Sequence, residues 1–276
     1  MSNKVLIYGS KGFLASNFRQ ELERRNFPFI AVSRDALNMM DVEAVKEFVR
    51  QEHFDSVFFS VGPTPCKTQG MLLQNLELLN ILLIALDSAG KSPKFTYISS
   101  DAVYGSIDSN PRTEFTNTAP NTLHGKMHLL RESILEYSGL TVLTLRSSAV
   151  FGIGDKHLSY GPNRFYHNLN NNLDLVLFGN GNDTRDHLWV KDFARVAADL
   201  HSNATGIFNL VSGHSSTFLE IAEEIARMSG VENKIRFENP DNLESDILYD
   251  NSKLTSRLGY QISDSLMRGL IGFFSQ

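Results

Sequence analysis

The sequence predicts an α/β protein, a doubly wound parallel sheet followed by a smaller C-terminal lobe. Three observations predict it. Short β-branched or aromatic runs alternate with stretches of helical apolar period through the first half. A glycine-rich turn joins the first run to the first helix, and the rhythm breaks after Phe151. In order, residues 5–8, 29–32, 56–61, 95–99 and 141–145 read as buried parallel strands. Between them, residues 14–25, 42–52, 72–89 and 124–137 read as helices, which implies right-handed crossovers. Gly, Asn and Pro cluster over 152–163 and 179–183 and predict loops. Helical signals return over 190–200 and 218–229, the second with Thr217 as its cap and Glu220 completing a capping box. The expected division is a dinucleotide-binding domain over 1–150, with 151–276 forming mainly a substrate-binding lobe and some segments returning to the sheet.

Composition narrows the function classes. The chain has 276 residues, of which 42% are apolar and 21% charged, enough to bury a large core. A net charge of -5 supplies no basic footprint for nucleic acid. Cys66 is the single cysteine, so there is no internal disulfide and no zinc-type cysteine spacing. The first residues lead straight into a strand-like run without a basic and apolar leader, and the longest apolar stretch, 80–86, is too short to span a bilayer. A cytoplasmic protein with no membrane partner is expected.

The turn Gly9-Ser10-Lys11-Gly12-Phe13-Leu14-Ala15 follows the first strand and opens the first helix. Gly9 permits a tight turn, Gly12 lets backbone N–H groups approach a pyrophosphate, and a small residue at 15 lets helix and sheet pack closely. This is the context of a Rossmann-type dinucleotide site. Gly9, Ser10, Lys11, Gly12, Phe13 and Leu14 are its expected cofactor contacts, with Val61 and Gly62 at the end of the third strand. The second strand ends Val32-Ser33-Arg34-Asp35. A small residue followed by Arg suits a 2′-phosphate, so Arg34 favours NADP(H), with NAD(H) the other possibility. Asp35 would partly neutralise it. Asp41 opens the next helix, as its cap, as a contact for the adenine amine, or as both.

These signatures resemble the extended short-chain dehydrogenase/reductase family, the NAD-dependent epimerase/dehydratase group acting on nucleotide sugars, over nearly the whole chain. Besides the glycine turn, Asn75 stands where the family carries an Asn, and residues 99–105, Ser-Ser-Asp-Ala-Val-Tyr-Gly, match its active-site strand end. Residues 145–152 match the following strand, and 185–192, Arg-Asp-His-Leu-Trp-Val-Lys-Asp, are similar to a segment whose Arg contacts substrate phosphate. Segments 206–213, 250–253 and 258–260 complete the pattern.

The resemblance implies a Ser or Thr at Ser100 that orients the substrate oxygen, then a Tyr and a Lys four residues apart on one helix. This chain departs there. Counted from Pro120, the Tyr position holds His124 and the Lys position His128. Residues four apart share a helix face, whereas Lys126 points elsewhere. His124 is expected to exchange the proton, as imidazolium near neutrality in the reductive direction, the missing Lys leaving that charge unopposed. His128 would hydrogen-bond the nicotinamide ribose. A zinc-binding His pair and a site that has lost catalysis are the rival readings.

For the substrate the resemblance implies Arg185 on a diphosphate, with Asn163 and Arg164 in a loop beside it, and Asp101 either as an additional acid or as a loop cap. The run 238–246 is acidic where the family has a second Arg, and Arg236 is a displaced candidate for that role. The expectation is an NADP(H)-dependent reductase acting on a sugar or nucleotide sugar, with a 4-epimerase or dehydratase and a non-catalytic cofactor-binding protein as alternatives. The resemblance further implies a homodimer, with 72–86 and 127–135 as candidate surface or as ordinary core.

Overall fold

The computed structural model describes residues 4–106, 109–158, 161–230, 235–239 and 245–275. In chain order the elements are β1 (Val5–Tyr8), α1 (Phe13–Arg24), β2 (Phe29–Val32), α2 (Val42–Gln51), β3 (Ser56–Phe59), α3 (Gln69–Ser88), β4 (Lys94–Ser100), a 3-10 turn (Asp101–Val103), α4 (Leu123–Glu136) and β5 (Val142–Ser147). There follow β6 (Ala149–Phe151), α5 (Gly161–Asn170), β7 (Leu175–Phe178), β8 (Thr184–Trp189), α6 (Val190–Asn203), β9 (Gly206–Leu210), β10 (Ser215–Thr217), α7 (Phe218–Ser229), β11 (Ile235–Glu238), α8 (Ser252–Leu258) and α9 (Ser265–Phe274). The chain packs as two compact units. Among the described residues the first takes in those up to 106, then 116–147 and 194–208, and the second 109–115, 148–193 and the residues from 209 onward.

In the first unit, strands of four to seven apolar-rich residues lie in the order β2-β1-β3-β4-β5, with β9 at the edge. β1 runs parallel to both β2 and β3, and β4 parallel to β3 and β5. Tyr8 is level with Val32 and with Phe59, so the three strands end together and their following turns open on one edge. The strand order reverses between β1 and β3, the place where doubly wound sheets bind ligands. The sheet buries Leu6, Tyr8, Val57, Phe59, Phe95 and Tyr97 against Leu78, Leu79, Leu82 and Leu86 of α3.

The third strand was expected to reach 61, but its ladder ends at Phe59. Ser60 N–H still reaches the Tyr8 carbonyl at 3.2 Å, and Gly62 at φ +140° then turns the chain away. α3 corrects a second expectation. Its 20 residues, with a mean hydropathy of 1.4 over an 18-residue window, are long and apolar enough by length and composition to cross a membrane. Counting only the stretch 80–86 missed this, because Asn75, Glu77 and Asn80 break up the apolar residues without interrupting the helix. In the fold, Asn75, Leu78, Leu79, Ile81, Leu82, Ala85 and Leu86 are buried, as expected of a core helix.

The second unit has a three-stranded sheet, β10-β8-β6, and a two-stranded one, β11-β7. Phe151, Phe165, Leu169, Leu175, Ile221, Ile225, Leu270 and Phe273 form its core. The capping box of Thr217 and Glu220 is present at the start of α7. α5 begins inside the stretch expected to be a loop. Pro162, in its first turn, suits a helix start, and Phe165 and Leu169 supply the buried face.

Candidate active site

At the edge where β1–β3 end, Gly9 holds φ +96°, and a β-carbon there would lie 2.6 Å from the Ser60 carbonyl oxygen and 2.8 Å from Val61 Cβ. Only glycine allows this close approach of the two turns. Gly12 is different. Its φ is -65°, it is exposed, and a β-carbon would meet nothing closer than the Gly9 carbonyl at 3.4 Å. The chain's own packing leaves room for a side chain there, so the space a glycine opens faces outward. The α1 N-terminus behind it has no side-chain cap, whereas Asp41, Thr68 and Thr122 cap α2, α3 and α4. Uncapped N–H groups at a helix start are anion donors. The residues present fit a pyrophosphate, with Ser10, Lys11, Gly12, Phe13 and Leu14 around it.

At the tip of β2, Asp35 pairs with Lys11 at 2.5 Å rather than with Arg34. The Lys11 contact holds the Asp35 carboxyl below the usual carboxylate range. Arg34 is exposed and makes no hydrogen bond or ion pair among the described residues. Asp41 caps α2, its Oδ1 accepting from Glu43 and Ala44 N–H at 3.1 Å each.

The 3-10 turn after β4 is capped by Ser100, whose Oγ accepts from Ala102 N–H at 3.1 Å and donates to the Asp101 carboxylate at 3.2 Å. The start of α4 is pressed onto this turn, because a β-carbon at Gly125 would collide with the Ala102 carbonyl oxygen. His124 and His128 do share a face of α4. Their rings meet edge to face, 4.6 Å apart, while Lys126 is exposed. His124 Nδ1 accepts from Cys66 N–H at 3.3 Å, so its neutral form carries the proton on Nε2. His128 Nδ1 lies 2.6 Å from the buried Tyr97 hydroxyl.

Arg131, one turn beyond His128, is a residue the sequence reading passed over. It is buried, stacks 5.1 Å over the Phe59 ring, and donates from Nε to the Asn75 carbonyl at 2.9 Å and from Nη2 to the Asn75 and Val61 carbonyls. No carboxylate pairs with it among the described residues. Asn75 in turn donates to the Pro63 and Met71 carbonyls, and its amide fills the place a side chain on Gly62 would need. Val61 and Gly62 are thus fixed from behind. Burial, then the Arg131 charge, push the His124 imidazole below its ordinary range. Burial, then His124 and Arg131, push His128 well below it. The expectation of an unopposed imidazolium is therefore corrected: the positive charge missing at 128 returns three residues later. A clue was available, since 124, 128 and 131 all fall on one helical face.

Beside this cluster, Glu132 and Arg146 form a buried ion pair at 2.7 Å, which Ser99 and Tyr104 complete. Among the described residues no group of three or more His, Cys, Asp or Glu is placed to hold a metal.

In the second unit Arg185 is the second residue of β8 and donates from Nη1 to the Thr184 and Ser245 carbonyls at 2.7 Å each. Asp186 beside it is buried and accepts from Ser148, Ser212 and Gly213, and burial raises its carboxyl above the usual range. Asn163 lies in α5, not in a loop. Its amide oxygen accepts from Gly152 N–H at 3.0 Å and its nitrogen donates to Asp155 at 2.7 Å. Arg236 is exposed and pairs with Asp174 at 2.7 Å. Residues 240–244 of the acidic run lie outside the described residues.

A sequence model described as the NAD dependent epimerase/dehydratase family matches residues 5–210, well over half of the chain. The chain belongs to this family. Among its relatives, GDP-L-fucose synthase of Escherichia coli (strain K12) is 23% identical, covering 97% of this chain and 94% of that one. UDP-glucose 4-epimerase of Lactobacillus helveticus is 24% identical over 94% and 92%. Spore coat polysaccharide biosynthesis protein SpsK of Bacillus subtilis (strain 168) is 24% identical over 84% and 81%. Two solved structures share the epimerase/dehydratase fold. RMD from Pseudomonas aeruginosa complexed with NADPH gives a TM-score of 0.87 at 22% identity, covering 99% of this chain and 98% of that one. UDP-glucose 4-epimerase of Thermus thermophilus in complex with NAD gives 0.85 at 20%, covering 99% of each. The family shows an NAD(P)-dependent enzyme type and an α/β fold with a parallel central sheet.

Proposed function

We propose that this chain is a cytoplasmic, NADP(H)-dependent oxidoreductase acting on a hydroxyl or keto carbon of a sugar or nucleotide sugar, working as a reductase. The carrying observation is at the tip of β2. Asp35, whose carboxylate would repel a 2′-phosphate, is held by Lys11, and the exposed Arg34 keeps all its donors. An epimerase returns its hydride to the same substrate and has no need of a phosphate-marked, exchangeable cofactor. The names of the relatives, a GDP-L-fucose synthase and UDP-glucose epimerases, support a nucleotide-sugar substrate.

When bound, the dinucleotide supplies or takes the hydride. The chain's own groups do the rest. The α1 N-terminus and Gly12 seat the pyrophosphate, and Gly62 is held firm by Asn75. His128, whose Nδ1 meets the Tyr97 hydroxyl, would hydrogen-bond the nicotinamide ribose through Nε2. His124 stands in the family's tyrosine position and exchanges the proton at the substrate oxygen, with Ser100 orienting that oxygen and Asp101 orienting Ser100. Arg185 holds a substrate phosphate with the donors it does not spend on Thr184 and Ser245, and Asn163 fixes the turn at Gly152 and Asp155. A homodimer is part of the proposal, supported by exposed Leu73 and Ile84 on α3 and Leu130 on α4, whereas the other face of each segment, including Leu78, Leu82 and Leu135, is core.

The test is a calorimetric titration with NADPH and NADH, followed by a screen of nucleotide 4-keto sugars for loss of NADPH absorbance. Tighter NADPH binding with turnover is expected. Preference for NADH overturns the cofactor reading, and NADPH binding without turnover on any keto sugar overturns the catalytic one in favour of a cofactor-binding protein.

A further inference from the structure

The buried guanidinium of Arg131 is unusual in its surroundings. A cation removed from water is normally matched by a carboxylate, yet among the described residues Arg131 meets none and is held by the Asn75 and Val61 carbonyls, the Phe59 ring and the Tyr97 side chain. A guanidinium keeps its charge at every accessible pH. Its neighbours on the same helix face are the two imidazoles, whose rings touch at 4.6 Å.

We propose that Arg131 is the fixed cation of this site, supplied one turn further along α4 than the lysine position, and that with the Cys66 N–H it keeps His124 uncharged with its proton on Nε2. Both parts oppose the imidazolium for separate reasons. A second proton on His124 would occupy Nδ1, where it would face the Cys66 N–H donor to donor. It would also place a second positive charge in the same partly buried cluster as Arg131. Among the described residues no carboxylate bonds to His124 or Arg131 to offset either effect. Of the titratable and charged groups on the elements packed around α4, Glu77 and Asp87 on α3 are exposed and Lys94 on β4 bonds to the His201 carbonyl, which leaves Tyr97 on β4, Cys66 ahead of α3, Asp101 on the 3-10 turn, and the Glu132–Arg146 pair. Glu132 is spent on Arg146 at 2.7 Å, and Asp101 receives the Ser100 hydroxyl. Burial raises both the Tyr97 phenol and the Cys66 thiol, which keeps them protonated and neutral. Arg131 is thus a positioning residue, acting through the charge and tautomer of His124.

The catalytic consequence rests on His124 exchanging the proton. In that case the reductive rate falls as pH rises through a midpoint below the ordinary imidazole range, and that midpoint moves up when the Arg131 charge is removed. The charge and tautomer themselves are read without turnover. The experiment is a nitrogen-15 NMR titration of the full chain labelled at histidine, with the His124 signal assigned by its loss in His124→Gln. At neutral pH the wild type should show a neutral His124 with Nε2 protonated. Arg131→Met should shift its protonation midpoint upward, and Arg131→Lys should restore the low value. A charged or Nδ1-protonated His124 in the wild type at neutral pH overturns the proposal even if no Arg131 variant folds. An unchanged midpoint in a folded Arg131→Met overturns the part assigned to Arg131. Should the NMR result hold while no substrate is turned over, the proposal stands and the reductase reading falls.

Discussion

His201 gives a prediction about stability that can be worked through in numbers. Its ring is buried at the far side of the sheet, with Nε2 2.8 Å from the Ser56 hydroxyl and Nδ1 2.8 Å from the Thr96 hydroxyl. The Lys94 ammonium bonds to the His201 carbonyl, and the ring of Phe18 meets the imidazole edge-on. Burial, reinforced by Lys94, pushes the imidazole from 6.5 down to about 3. The folded value lies below the unfolded one, so as pH falls the unfolded chain takes up this proton first. The contribution to stability is whole above about 6.5, declines through the window between, and is fully lost below about 3. Each pH unit inside that window costs about 1.4 kcal/mol, which makes the loss roughly 2.7 kcal/mol at pH 4.5. The assay is urea unfolding across the range from neutral to pH 4.5 for the wild type and for His201→Gln, which keeps a polar group between the two hydroxyls but does not titrate. The other buried histidines are common to both proteins, so the difference in slope belongs to His201. The wild type should lose roughly 2–3 kcal/mol more than the variant over that interval. Parallel slopes would refute the reasoning.

Other outcomes are expected at the site. Arg34→Ala should narrow the preference for NADPH over NADH by about tenfold or more, since a charged hydrogen bond to the 2′-phosphate is lost, and cofactor titration reads it directly. Arg185→Ala should weaken nucleotide-sugar binding while leaving cofactor affinity as it was; equal sugar affinity in both proteins removes Arg185 from the site. His124→Ala should lose rate by about a hundredfold to ten-thousandfold at saturating cofactor, and full activity on the true substrate would end its catalytic assignment. Glu132→Gln strands the Arg146 charge, so chemical denaturation should show a loss of about 3–5 kcal/mol; a negligible loss would mean that the pair contributes little.

The first half of the fold was legible because β1 to β5 are rich in apolar and β-branched residues and α1 to α4 carry long helical periods. The glycine turn was legible because its position between strand and helix restricts what it can do. The second unit was read less well. β6, β8 and β10 run to only three to six residues and β10 is half-buried throughout, so neither length nor alternation marks them. α5 was hidden by Gly161 and Pro162, which signal a turn until the buried Phe165 and Leu169 are counted. Within the site, the two histidines were found from their spacing. Arg131 was not, because an arginine on a helix ordinarily lies on the surface, and what buries this one is a carbonyl of a residue 56 positions away. Gly125 passed unremarked between the histidines, although the Ala102 carbonyl against it is what sets the start of α4.

The carboxylate-free Arg131 also constrains how this site can change. Restoring the family's pair by His124→Tyr and His128→Lys would bury a lysine ammonium three residues from a guanidinium that has no counterion, a like-charge contact in a space that Tyr97 already fills from one side. The tolerable order of substitutions runs the other way: Arg131 must first become neutral, and only then does a lysine at 128 have room for its charge. The three positions are therefore coupled: the two exchanges that, on sequence alone, look sufficient would need a third at 131.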